Sequence, residues 1–284
     1  MDTIVPILLL SEHIKTTPTN LPLLKAIQKV LNDSYTATYC AHPELFGTSH
    51  VRIADPAQLA DVIGADGFTI VLVRVVSAGA NEKPRLCEVV ATGSVKDFGD
   101  GDVESYAEWS KNRGGAEWAK EGNRGSSGDT AGQKGGVKNP EVTAFAVSPH
   151  CQAAGLGARV LDEIKWAVGI DGHDSKLRNI IAKNSDAVVD GLQLSDSTTT
   201  FPLQGIDVNR LKDIIASGKT RKGENDALQD TTQPKLVLMC IRELGNESYY
   251  QRRGFKTVWT GTVPLGMWDC KKECTMVYME MGTD

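Results

Sequence analysis

Apolar and polar positions along this chain sort into short runs and helical stripes, and together they predict alternating strands and helices. Ile4–Leu10 is apolar throughout and reads as a first strand. Leu24, Ile27, Val30, Leu31 and Tyr35 recur at helical spacing, behind Thr19 or Asn20, either of which can cap a helix. Asp55–Ile63 reads as a further short helix. Phe68–Val76 and Leu86–Phe98 flank the polar stretch Ser77–Arg85, which predicts an antiparallel hairpin. Val142–Val147 is apolar and feeds a tight turn. The helix after the turn would bury Leu156, Val160, Leu161, Ile164 and Val168. Lys235–Ile241 is an apolar run suited to a strand buried on both faces. Lys256–Trp268 and Glu273–Met281 read as closing strands joined through Asp269–Lys272. The fold class expected is α/β (α+β), with a mixed, mostly antiparallel, twisted central sheet flanked by helices.

Two stretches interrupt this pattern, at about 99–140 and 170–233, and the remainder is expected to form one domain over 1–284. Ten of the chain's 28 glycines fall within 99–136. Such a segment buries too little apolar surface to offset its ordering entropy. Val103, Tyr106, Trp109 and Trp118 are its apolar anchors. Trp109–Trp118 could form a helix over the active site, and Gly122–Gly136 is expected to be mobile. In the second stretch, Val208–Ser217 carries Leu211, Ile214 and Ile215 at helical spacing, and 219–233 is polar and linker-like.

Composition narrows the function classes. The 284 residues carry a net charge of −5 and are 40% hydrophobic, ordinary for a globular protein. That charge argues against nucleic acid as a partner and is compatible with a cationic amine. The apolar N-terminal run is too short to span a bilayer and lacks a basic flank, so neither a membrane nor a signal peptide is expected. Six scattered cysteines form no disulfide framework, which fits reduced thiols in a cytoplasmic or nuclear setting. Cys270 and Cys274 could be half a metal site, but no second pair follows, and no metal is expected. A monomer or weak dimer is expected.

The candidate chemistry begins at Gln152-Ala153-Ala154-Gly155-Leu156-Gly157, a Q-x-x-G-x-G turn between strand and helix. A helix N-terminus presents unpaired N–H groups and the positive end of a dipole, a ready site for pyrophosphate. Small residues let a ligand approach the backbone. Neither the dinucleotide G-x-G-x-x-G fingerprint nor the G-x-x-x-x-G-K-[ST] phosphate loop is present, which counts against a dinucleotide-dependent oxidoreductase. Farther on, Asn246 can cap a short helix, Gly254 can stop it, and Tyr250-x-x-x-Gly254-Phe255 ends it.

These two segments resemble motifs A and B of the GNAT superfamily of N-acetyltransferases, in the family's chain order. Val147, Pro149, Gln152, Gly155 and Gly157 fall in register with V-x-P-x-x-Q/R-x-x-G-x-G/A. Ala153 stands where many members have Gly, and fits if its φ is negative. Glu243 stands where many have Asn, and Asn246 could serve instead. The resemblance implies acetyl-CoA as cosubstrate. The N–H groups of Gln152, Ala153, Ala154, Gly155, Leu156, Gly157 and Ala158 would hold its pyrophosphate, and the backbone of Phe145, Ala146 and Val147 would pair with its pantetheine arm. Asn246 would assist. The thioester would lie where the two motif strands splay apart. Tyr250 falls on the family tyrosine near the CoA sulfur. Glu141, six residues before Val147, matches a catalytic glutamate of histone-acetylating relatives. Strand alternation puts it on one face with Thr143, Phe145 and Val147.

The function implied is acetyl transfer to a primary amine of a small molecule. The alternatives are a protein lysine or N-terminal acceptor, as in a basic peptide, or a catalytically silent acyl-CoA-binding module. Asp97 could also reach an acceptor. His150 beside the turn, Tyr249, Arg252 and Arg253 fit turn, core and solvated-face roles.

Overall fold

A computed structural model describes residues 3–18, 20–48, 51–65, 67–76, 85–98, 139–168, 170, 192–194, 200–201 and 235–282. Thr19, most of Ser77–Arg85, the glycine-rich 99–136 with its Trp109–Trp118 helix, Val208–Ser217 and 219–233 lie outside these residues. The expectations made for them therefore meet no structural observation.

The chain divides into two compact units. The first takes in residues 1–34, 53–96 and 143–231. Here β1 (Thr3–Leu10) lies antiparallel to β2 (Phe68–Val76), which lies antiparallel to β3 (Arg85–Phe98), with a bulge at Leu72/Val73. The expected hairpin is present. A short helix, α1 (Ser11–Ile14), follows β1, and α2 (Leu21–Ala41) begins in this unit with Leu23, Leu24, Ile27, Val30 and Leu31 buried. Asn20 precedes α2, but its amide donates back to the carbonyls of His13 and Lys15. Asn32 brackets Ile53, donating to its carbonyl at 2.9 Å and accepting from its N–H at 3.0 Å. That contact seats the segment leading into α3 (Gln58–Ile63). Two short strands, β5 (Leu192–Leu194) and β6 (Thr200–Phe201), pair with each other, and β5 runs parallel to the start of β3.

The strand β4 (Asn139–Val147) spans both units, with its later half in the first. It leads to α4 (Leu156–Ala167), where Leu156, Val160, Leu161 and Ile164 are buried as the periodicity predicts, while Val168 is half-buried at the helix end. Gly93 on β3 makes this packing possible. A Cβ there would sit 2.6 Å from Val160 Cγ1, 3.0 Å from Phe145 Cδ2 and 3.1 Å from Ile164 Cδ1. A glycine inside a strand commonly marks such close approach. Gly93→Ala is therefore expected to destabilise the protein by about 1–3 kcal/mol, the range for overpacking. Chemical denaturation would check it, and an unchanged midpoint would mean that α4 can move away at no cost.

The second unit takes in residues 35–52, 97–142 and 232–284. The first half of β4 pairs in parallel with β7 (Leu236–Ile241) through Glu141 and Val142. β7 is antiparallel to β9 (Cys274–Met281), which is antiparallel to β8 (Lys256–Val263). The sheet is thus mixed and mostly antiparallel, with helices flanking it, as expected. Two expectations change. β7 is buried at Leu236, Val237 and Leu238 but only half-buried from Met239 to Ile241. β8 ends at Val263, well before Trp268, because Pro264 has no N–H to continue a ladder and Gly266 turns at φ +85°. Tyr39, Leu45, Phe46, Val263, Met267, Cys270, Cys274 and Met276 form this unit's aromatic-rich core. Burial holds the Cys270 thiol at about 12. Among the described residues no metal-holding cluster occurs.

Candidate functional site

The motif A turn lies wholly in the first unit. Gln152, Ala153, Ala154 and Gly155 are exposed, and Leu156 and Gly157 are buried where the helix meets the sheet. Gly155 is the N-cap of α4, with φ +75° and ψ 5°, and open space where a Cβ would project. No described group accepts a hydrogen bond from the N–H groups of 152–158, and Arg159 makes the first bond of the helix, to the Gly155 carbonyl. The first helical turn carries no acidic residue, so nothing there opposes an anion. Arg159 donates to the Ile4 carbonyl at 3.0 Å, which anchors the start of the helix to β1. The short helical turn Pro149–Cys151 precedes the site, and the Ser148 N–H donates to the Val90 carbonyl.

Ala153 corrects the sequence reading. Its φ is +65°, not negative. A left-handed alanine costs about 1–2 kcal/mol relative to an ordinary conformation, which gives a physical reason for glycine at this place. Ala153→Gly is expected to raise stability by about 0.5–1 kcal/mol, the relief being offset in part by a freer unfolded chain. Thermal unfolding would measure it, and a loss of stability would show that the alanine methyl is holding the turn.

Ala144 is also left-handed, at φ +44°. The pairing of β4 with β7 ends at Val142, just before it, because a left-handed residue breaks the extended backbone that a longer ladder needs. Thr143, Phe145 and Val147 are half-buried, whereas Ala144 and Ala146 are buried. Glu141 is 5% exposed, so it is not a solvated strand-end carboxylate. It lies near Tyr278, whose phenol is raised first by burial, then by Glu280, then by Glu141.

Motif B belongs to the second unit. A helical turn, Arg242–Leu244, ends at Gly245 with φ +72°, and Gly245 in turn caps α5 (Asn246–Gln251). Asn246 is thus the first residue of the helix rather than its cap, and is exposed. Glu243 has a structural task. Its carboxylate accepts from the Thr275 N–H at 2.9 and 3.0 Å, tying this turn to β9. Partial burial would raise its pKa, but these bonds and the nearby Arg242 hold it below the usual range. Glu247 accepts from Arg242 at 2.7 Å and from the Thr257 hydroxyl at 2.8 Å.

The end of α5 explains the Tyr-x-x-x-Gly-Phe spacing. Gly254, at φ +93°, donates to the Gln251 carbonyl, and the Phe255 N–H reaches back to the Tyr250 carbonyl at 3.2 Å. This is a Schellman stop, which also brings together the side chains of the two residues it links. The rings of Tyr250 and Phe255 meet edge-on at 5.8 Å, and Tyr249 meets Tyr250 at 5.2 Å. Arg253 stacks 3.5 Å from the Tyr249 ring and donates to the Tyr249 carbonyl, so it serves packing. Tyr250 is half-buried, and enclosure of its hydroxyl, with the Cys240 thiol and Tyr35 nearby, raises its phenol well above the ordinary value. It stays protonated through the neutral and mildly alkaline range. Cys240 is itself raised to about 12 by burial and by Glu247, which leaves it a poor nucleophile.

No family model matches the sequence, and no curated protein matches it. The chain is similar to solved N-acetyltransferase structures. One is the Drosophila melanogaster polyamine N-acetyltransferase, at 12% identity and TM-score 0.42, over 99% of this chain and 100% of that one. A second is a GNAT-family acetyltransferase from Desulfovibrio desulfuricans, at 8% identity and TM-score 0.40, over 99% and 100%. A third is Escherichia coli ElaA, at 11% identity and TM-score 0.39, over 98% and 99%. Likenesses this distant do not set the activity of this chain.

Proposed function

We propose that the chain is an acetyl-CoA-dependent N-acetyltransferase acting on the primary amine of a small molecule. The observation that carries this reading is the motif A turn, an exposed loop of small residues at the head of α4 with a left-handed Gly155 and backbone N–H groups unclaimed by the described residues. That surface fits a pyrophosphate. The N–H groups of 152–158 would bind it, and the backbone of Phe145, Ala146 and Val147 would take the pantetheine amides. Asn246 would assist from the start of α5. The cosubstrate supplies an activated acetyl thioester.

In the transfer, the amine nitrogen bonds to the acetyl carbon, the carbon–sulfur bond breaks, and the amine loses a proton while the thiolate gains one. Tyr250 would supply that last proton. Glu141 would take the amine's proton, directly or through water.

Glu141→Gln should lower kcat and move the rate maximum to higher pH, where free amine is commoner without assistance. An unchanged pH profile would remove Glu141 from the proton path. The reading as a whole is tested by thiol release from acetyl-CoA across polyamines, amino acids, aminoglycosides and basic peptides. Release with a small amine supports it. Release with peptides alone would favour a protein acceptor, and tight CoA binding with no release would mean a silent module.

A further inference from the structure

Arg52 has no assigned task. It belongs to the second unit, the same unit as Tyr250. Its guanidinium carbon stands 5.4 Å from the centre of the Tyr35 ring, and its Nε is buried with no hydrogen-bond partner. The side chain as a whole is half-buried. No ion pair joins it to any described carboxylate. Two other arginines of this unit, Arg242 and Arg253, are engaged, and Arg252 is exposed. Arg242 is clasped by Glu247, and Arg253 is bonded to the Tyr249 carbonyl.

The position of Arg52 ties it to the candidate chemistry. Tyr35 packs against the core cluster that Met239, Ile241 and Leu244 also join, at the end of β7 that leads into α5. Tyr35 is among the groups that raise the Tyr250 phenol. Tyr35 meets Tyr39 edge-on at 6.2 Å, and Tyr39 stacks on Phe46 at 4.8 Å, so the ring under Arg52 is held by a packed aromatic row. Arg52 also acts on Tyr39, whose phenol burial raises to about 12 while Arg52 lowers it and Asp269 raises it. A guanidinium presents a planar fork of N–H donors matched to a carboxylate, and a partly desolvated one pairs more strongly than an exposed one.

We propose that Arg52 binds a carboxylate of the acyl acceptor, so that the amine acetylated belongs to an amino acid or a similar amino carboxylate. This rests on the acetyl-transfer reading and names its substrate class. Arg52 acts as a specificity residue and takes no part in the bond changes.

The test compares the proteinogenic α-amino acids with their carboxamides, which keep the amine and lose the charge. Thiol release is followed in the wild-type protein, in Arg52→Gln and in Arg52→Lys. The wild type is expected to favour the best amino acid over its carboxamide by about 10- to 100-fold in kcat/KM, the worth of a charge-assisted bond. In Arg52→Gln that ratio should fall to within about threefold of one, mainly through KM. In Arg52→Lys it should take an intermediate value, because the point charge remains and the fork does not. Unfolding temperature and acetyl-CoA affinity, measured on the same variants, separate loss of recognition from loss of fold. A wild type that favours the carboxamides, or a ratio unchanged in Arg52→Gln, overturns the proposal while leaving acetyl transfer standing. No release with either set would overturn acetyl transfer to this class, and the role of Arg52 with it.

Discussion

Gly155→Glu should weaken acetyl-CoA binding by about 20- to 4,000-fold. The figure combines the loss of one hydrogen bond to a charged phosphate, about 1.5–3 kcal/mol, with a negative charge placed at the positive end of a helix dipole, about 0.3–2 kcal/mol, converted at 1.4 kcal/mol per tenfold. The open space beside Gly155 means that a side chain there meets no neighbour within 4 Å. The φ of +75° still penalises any side chain. Gly155→Ala is the control, sharing that strain without the charge, and should weaken binding by less than about tenfold. Calorimetry with acetyl-CoA measures both. A folded Gly155→Glu protein that binds within about threefold of wild type would dismiss the turn as the pyrophosphate site.

Tyr250→Phe should lower kcat by about 100-fold or more, with acetyl-CoA affinity nearly unchanged, because the interaction removed exists only in the transition state. Stability should change little. The ring carries the contacts with Tyr249 and Phe255 at the helix stop, and Phe keeps the ring. Tyr250→Ala would confuse the two roles, since it also opens a gap under α5. Steady-state kinetics with a turned-over amine decides the matter. A Tyr250→Phe enzyme within about twofold of wild type would reduce this residue to its part in the helix stop.

That double role bears on how much the sequence discloses. Tyr-x-x-x-Gly-Phe looks like a functional signature, yet the spacing is also what a Schellman stop demands, with its aromatic pair bridging the left-handed glycine. The strands were legible where apolar runs are bounded by polar turns, as in β2, β3 and β9. Helix faces followed from periodicity, as in α2 and α4. Ends were less legible. Asn246 has the chemistry of a cap, but Gly245 already turns left-handed to close the preceding helical turn and takes the cap position. The end of β8 is not legible because the composition stays strand-like past Pro264.

Backbone strain left little trace. Nothing about an alanine announces the left-handed turns at Ala144 and Ala153, which depend on what the surrounding structure imposes. Gly93 did carry a signal, a lone glycine in a β-branched strand, whose meaning needed the helix packed on it. Tyr35 is far apart in sequence from Tyr250, so its influence on that phenol is legible only after folding.

The central claim is transfer of an acetyl group from CoA to an amine, and its most direct test is stoichiometry. Acetyl-CoA is incubated with the protein and an amine found by the thiol-release screen, and free CoA thiol and N-acetylated amine are counted in the same sample by titration and mass spectrometry. One acetylated amine is expected for each thiol released, with both formed far more slowly in Gly155→Glu and Tyr250→Phe. Acetyl-CoA bound tightly with neither product formed, or thiol released without acetylated amine, would contradict it.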